Sequence, residues 1–159
     1  MKTITIGFSK PKNKFFPVFS WLIRLYQWTP YSHVYLKFRS ESLDRNLVYE
    51  SVFGGVRFVG EKIWKEKAKT TAEFKLDVSD ASYTSILQYC VDHAGMPYAG
   101  MQNLGLVIAN LLNLDENPFK SGINCSEAIA NILILNGKSI DKCLDLVTPK
   151  DIFDILDKK

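Results

Sequence analysis

"SHVYLKFRSESLDRNLVYESVFGGVRFVG", residues Ser32–Gly60, is the stretch that decides the fold. Ser32 to Phe38 alternates: Val34, Leu36 and Phe38 share one face of a strand, while His33, Tyr35 and Lys37 share the other. "SESLDRN" (Ser40–Asn46) turns the chain, and "LVYESVF" (Leu47–Phe53) returns as a second strand. Gly54 and Gly55 make a tight turn into "VRFVG" (Val56–Gly60), a third strand. Two successive hairpins imply an antiparallel sheet.

Working outward, "TITIGFS" (Thr3–Ser9) and "TTAEFKLDV" (Thr70–Val78) read as two further strands. Phe15 to Trp28 reads as a helix ended by Thr29 and Pro30. "GEKIWKEKAK" (Gly60–Lys69) mixes both charge signs and reads as a solvated face, helical in part. From Ser79 the period becomes helical. Ser79 is the expected N-cap of "SDASYTSILQYCVDHAG", and Gly95 its stop. "MPYAG" is a turn, Met101–Leu114 an apolar helix, "DENPFKSGI" a loop, and Asn124–Asn136 another helix. "TPKD" opens the last helix, with Thr148 as cap, Pro149 at the first helical position and Asp151 completing a capping box. Strands in the first half and helices in the second predict an α+β fold. Its antiparallel sheet has about four to six strands packed against helices.

The totals fit this layout. The 159 residues and 47% hydrophobic content suit one domain over residues 1–159. At this length roughly 70% of the unfolded surface can be buried. A net charge of +3 with dispersed lysines and arginines argues against a nucleic-acid partner. No run approaches the roughly 18 apolar residues of a membrane span. "FFPVFSWLIRLYQW" (Phe15–Trp28) leaves peripheral membrane contact open, beside its reading as a core helix. The start, "MKTITIGFSKPKN", lacks the pattern of a secretory signal. Three cysteines, Cys90, Cys125 and Cys143, are too few and too scattered for a disulfide framework. Both features point to the cytoplasm. No phosphate-cradling or dinucleotide motif is present, "CVDH" lacks the second ligand pair of a zinc site, and neither cofactor nor metal is expected.

The chemistry gathers around "NCSE" (Asn124–Glu127). Asn124 suits an N-cap and Glu127 occupies the capping-box position. Cys125 then falls on the first helical turn, where free N–H groups and the helix dipole favour a thiolate and can form one side of an oxyanion hole. Packing is the competing role for a small apolar side chain there. A thiol nucleophile needs a base. His93, beside Gly95, suits a helix C-terminus. His33, on the polar face near a strand end, is the candidate base, or else an ordinary exposed histidine. With the hairpin turn centred near Ser42, His33 faces the segment around Glu50 and Ser51. Glu50 can orient the imidazole, or else face solvent. Cys143 reads as packing.

The order His33, Glu50, Cys125 resembles the circularly permuted papain-like hydrolases of the NlpC type, within them the YiiX-like branch. "YSHVYL", "LVYESVFGGVRF", "GMPYAG" and "NCSEAIANIL" are similar to the motifs of that branch, over roughly Ser32 to Leu133. The resemblance implies a permuted papain-like fold with Cys125 as nucleophile, His33 as base and Glu50 as orienter. It also implies Tyr31, Ser32, Tyr98, Asn124 and Ser126 as substrate-binding neighbours. The implied activity is a cysteine peptidase or amidase, cutting an amide of a peptide-like substrate such as a cell-wall peptide or isopeptide through a thioester. Lipid esterase or acyl-transfer activity, or a non-catalytic peptide- or lipid-binding module, are the alternatives. The apolar Met101–Ile123 segment has no counterpart in the motif pattern.

Overall fold

The computed structural model describes residues 1–12, 17–119 and 122–158. In chain order it contains β1 (Lys2–Pro11), α1 (Pro17–Gln27), β2 (His33–Ser40), β3 (Arg45–Val52), β4 (Gly55–Gly60), α2 (Glu61–Lys67) and β5 (Ala68–Val78). There follow α3 (Asp80–His93), α4 (Gly100–Leu112), α5 (Cys125–Leu135), a 3-10 turn at Leu144–Leu146 and α6 (Pro149–Asp157). The five strands form one antiparallel sheet in the order β4-β3-β2-β1-β5. The α+β class expected from the sequence is the one observed. Phe15 and Phe16, which open the expected first helix, lie outside the described residues, and that helix ends one residue early because Trp28 takes positive φ (52°).

One face of the sheet is continuous hydrophobic surface. Ile4, Ile6 and Phe8 of β1 lie across from Phe38, Leu36 and Val34 of β2. On β1's other side they meet Leu76, Phe74 and Ala72 of β5. α5 crosses this face and buries Ala128, Ile129, Ala130, Ile132 and Leu133 against it. Each large side chain so buried contributes roughly 1.5–3 kcal/mol. α3 adds Ile86 and Cys90, and α6 adds Ile152. Ser79 caps α3 by accepting from the Ser82 N–H, and Thr148 and Asp151 form the capping box of α6.

The opposite face departs from expectation. His33, Tyr35 and Lys37 were expected on a polar face, and Gly60–Lys69 on a solvated one. Lys62, Lys65, Glu66, Lys67 and Lys69 are exposed as expected, but α2 lays Trp64 over the sheet, its ring 4.3 Å from that of Tyr35, and both residues are buried. Gly7 is what admits Tyr35. A Cβ on Gly7 would sit 2.1 Å from the Tyr35 Cζ. The Tyr35 hydroxyl hydrogen-bonds Glu73 Oε1 at 2.9 Å and Thr70 Oγ1 at 3.1 Å, so its burial leaves no unmet polar group. Cys143 was expected to pack and is exposed. No helix among the described residues is long and apolar enough to cross a membrane.

Candidate active site

Each strand that supplies a site residue is fixed by a direct neighbour. His33, the first residue of β2, stands across from buried Ser9 of β1. At that point β1 is bulged against β5: Phe8 pairs with Ala72 and Ser9 with Thr70, leaving Thr71 as the extra residue. Thr71 Oγ1 donates to the Phe8 carbonyl at 3.0 Å and secures the bulge. Glu50 on β3 lies directly opposite Arg57 on β4, the pairing set by a turn at Phe53–Gly54, one residue earlier than the expected Gly54–Gly55 turn, since Gly55 already pairs with Val52.

The Glu50 carboxylate is only 3% exposed and fully engaged. Oε2 meets His33 Nε2 at 3.1 Å and accepts from Trp64 Nε1 at 2.7 Å. Oε1 accepts from Arg57 Nη2 at 2.8 Å and Nε at 3.1 Å. Burial pushes this carboxyl up, but the His33 bond and charge, with Arg57 and Trp64, outweigh burial and hold it at about 2. Glu50 is therefore a fixed anion behind the imidazole. His33 Nε2 is taken by Glu50, so Nδ1 is the ring nitrogen that Glu50 does not hold.

Cys125 is the first residue of α5, so its own N–H has no partner within the helix. Asn124 caps the helix, its Oδ1 accepting from the Glu127 N–H at 2.9 Å. Glu127 in turn takes a hydrogen bond from Gln102 Nε2 of α4 at 3.0 Å. The segment before Cys125 is tied down on two sides. Ser51 Oγ donates to the Ile123 carbonyl at 2.6 Å, and Ile123 forms a parallel bridge with Tyr98. Gly122 makes this possible. It has φ +73°, and a Cβ there would lie 2.4 Å from the Pro97 carbonyl oxygen.

Cys125 and His33 line the same cleft, and each shifts the other's titration. Burial raises the thiol. His33, the Val34 N–H and Ser126 outweigh that and bring it below its ordinary value. Burial likewise lowers the imidazole, yet Cys125 and Glu50 push it up to about 10. Both directions favour a thiolate–imidazolium pair, backed by a carboxylate. Such a pair can attack an electrophilic carbon and return a proton to a leaving group.

The site opens into a cleft of about 790 Å³. Of the residues expected to bind substrate, Ser32, Tyr98 and Ser126 line it together with Cys125, His33 and Glu50. Tyr31 and Asn124 do not. Tyr31 is buried between Phe8 and Phe153, with ring separations of 4.9 and 5.4 Å. Asn124 is buried as the α5 cap, because its Oδ1 is committed to Glu127. His93 caps its own helix as expected, Nδ1 lying 2.7 Å from the Tyr89 carbonyl. Among the described residues no cluster of metal-ligating side chains occurs.

Arg57, Trp64, Ser51 and Gly122 were missed as supports of the site. Arg57 lies as far after the turn centred between Phe53 and Gly54 as Glu50 lies before it, but the turn expected at Gly54–Gly55 hid the pairing. Trp64, a lone aromatic in a charged run, was the signal that the run covers something. No family model, curated protein or solved structure matches the chain.

Proposed function

We propose that the chain is a thiol hydrolase or acyl transferase with a Cys125–His33–Glu50 triad, in a permuted papain-like fold of the NlpC type. The observation that carries this reading is the gathering of Cys125, at the start of α5, and His33, 3.1 Å from buried Glu50, in one cleft, with the thiol brought below its ordinary value. Sγ attacks an acyl carbonyl carbon. The Cys125 N–H and the α5 dipole receive the developing oxyanion. His33, as imidazolium, gives its proton to the leaving amine or alkoxide as the carbonyl carbon's bond to it breaks. Water then adds to the thioester, loses a proton to His33, and releases the acid as the C–S bond breaks. A peptide amide, the substrate class implied by the motif resemblance, and a lipid ester both present such a carbonyl. The three unpaired cysteines suit a reducing compartment, so the proposal places the enzyme in the cytoplasm.

Cys143 supplies an internal control for the test. It is exposed, and its thiol is pushed up, first by a hydrogen bond with Asp145. Brief alkylation with iodoacetamide at pH 6, followed by peptide mapping, should label Cys125 ahead of Cys143 although Cys125 is buried. Preferential labelling of Cys143 would sink the proposal.

A further inference from the structure

Five serines line the cleft: Ser9, Ser20, Ser32, Ser51 and Ser126. Four of their hydroxyls are engaged. Ser20 and Ser32 bond each other at 2.7 Å, which ties α1 to the residue before His33. Ser51 donates to the Ile123 carbonyl, and Ser126 Oγ lies 4.0 Å from Cys125 Sγ. Ser9 is the exception. It is only 1% exposed, yet among the described residues its hydroxyl has no hydrogen-bond partner. A buried hydroxyl left unbonded is costly, and the cleft is the side from which water can reach this one.

The fold sets that hydroxyl beside the reacting groups. Ser9 pairs directly with His33 across β1 and β2, so both side chains rise from the same face of the sheet. Residues paired in this way have Cβ atoms roughly 4.5–5.5 Å apart. Two residues back along β1, Gly7 makes room for Tyr35, whose ring stacks 6.5 Å from that of His33. Ser9 therefore stands next to the imidazole as Gly7 stands next to the phenol. The β1–β5 register also shifts between Phe8 and Ser9. A bulge at such a place bends the strand and re-aims a side chain.

Resting on the thiol reading above, we infer that Ser9 is a further catalytic residue, whose hydroxyl holds the water that hydrolyses the thioester. Departure of the leaving group leaves His33 neutral, with Glu50 on Nε2. Ser9 Oγ accepts one hydrogen of the water, and His33 Nδ1 takes the other as a proton. The water oxygen bonds the acyl carbon, the C–S bond breaks, and the acid departs. The sulfur leaves as thiolate beside imidazolium, the state in which the cycle began. Holding the water spares this step the entropy of an encounter with bulk solvent.

The probe is p-nitrophenyl acetate. Its burst of nitrophenolate reads acylation of Cys125, and its steady state reads deacylation. Ser9→Ala should keep the burst rate within about twofold and slow the steady state about tenfold, the worth of one hydrogen bond. Acyl-enzyme should then accumulate on Cys125 in mass spectra. Hydroxylamine, a nucleophile that needs no held water, should restore turnover of Ser9→Ala while accelerating wild type far less. Ser9→Thr, which retains a hydroxyl, should turn over faster than Ser9→Ala. An equal loss in both phases would make Ser9 a packing residue and overturn the inference, with the thiol reading intact. An unchanged steady state would do the same. If Ser9→Ala does not fold by circular dichroism, wild type decides: strong acceleration by hydroxylamine overturns the held water, and weak acceleration supports it. If wild type forms no acyl-enzyme on Cys125, the thiol reading fails and the inference fails with it.

Discussion

Glu50→Gln tests the site at its most constrained atom pair. The native carboxylate accepts from Arg57 twice, from Trp64 and from His33, and is held at about 2 against an ordinary value of 4.5. Its folded value is depressed, so its contribution to stability is fully present above about 4.5 and is lost as pH falls toward 2. The displacement corresponds to about 3 kcal/mol at neutral pH. The amide carries no charge, and its NH₂ must face a donor wherever it points, since His33, Trp64 and Arg57 surround it. For a chain of this length the loss corresponds to a fall in Tm of about 6–12 °C. Thermal denaturation followed by circular dichroism from pH 7 to pH 2.5 is the assay. The Tm gap between wild type and variant should be widest at pH 7 and narrow steadily below pH 4.5. The imidazolium loses its anion in the same change, so the alkylation midpoint of Cys125 should move upward. A gap that is absent, or that is unchanged across this pH range, would refute the electrostatic account of Glu50.

The other elements of the site give separate expectations. His33→Ala removes the cation that offsets thiol burial, so the alkylation midpoint of Cys125, measured by rate against pH, should rise above the free-thiol value of about 8.5; an unchanged midpoint would deny the pairing. The His33 value is raised, so its stabilising contribution is fully present below about 6.5 and should drain away as pH climbs through about 10; urea denaturation across that span reads it. Gly122→Ala combines an unfavourable φ with a backbone clash and should cost more than the roughly 1–2 kcal/mol of a left-handed residue alone, with loss of selective Cys125 labelling; wild-type stability would show that the tie to Pro97 is not needed. Gly7→Ala drives a methyl into the Tyr35 ring and should cost about 1–3 kcal/mol in urea denaturation, with no change expected if the ring has room to move aside.

What the sequence disclosed, and what it hid, follows from the reach of each interaction. Hairpin arithmetic placed His33 opposite the segment around Glu50 and Ser51, because the loop between two strands fixes their register. The N-cap of α5 was legible because Asn124 and Glu127 are local to the helix they start. The sequence could not show that Tyr35 and Trp64 close the second face, because that depends on Gly7, on the neighbouring strand β1, leaving space for a ring. Alternation alone placed Tyr35 beside His33 and Lys37 and read the three as polar. The cost of that reading was Glu50: with the face open, a surface glutamate and a buried orienter looked alike. With Trp64 over it, water is excluded from the carboxylate, and the same residue becomes a fixed anion that pushes the His33 imidazole up. The covering helix is therefore part of the proposed catalytic arrangement, acting through the Trp64 bond to Glu50. Trp64→Phe should keep the apolar cover while removing the 2.7 Å bond to Oε2. A lost hydrogen bond to a buried charged group costs roughly 1.5–3 kcal/mol. If Trp64 acts by fixing Glu50, the Cys125 alkylation midpoint should rise in Trp64→Phe as well as stability falling. If it serves only as packing, stability alone should change.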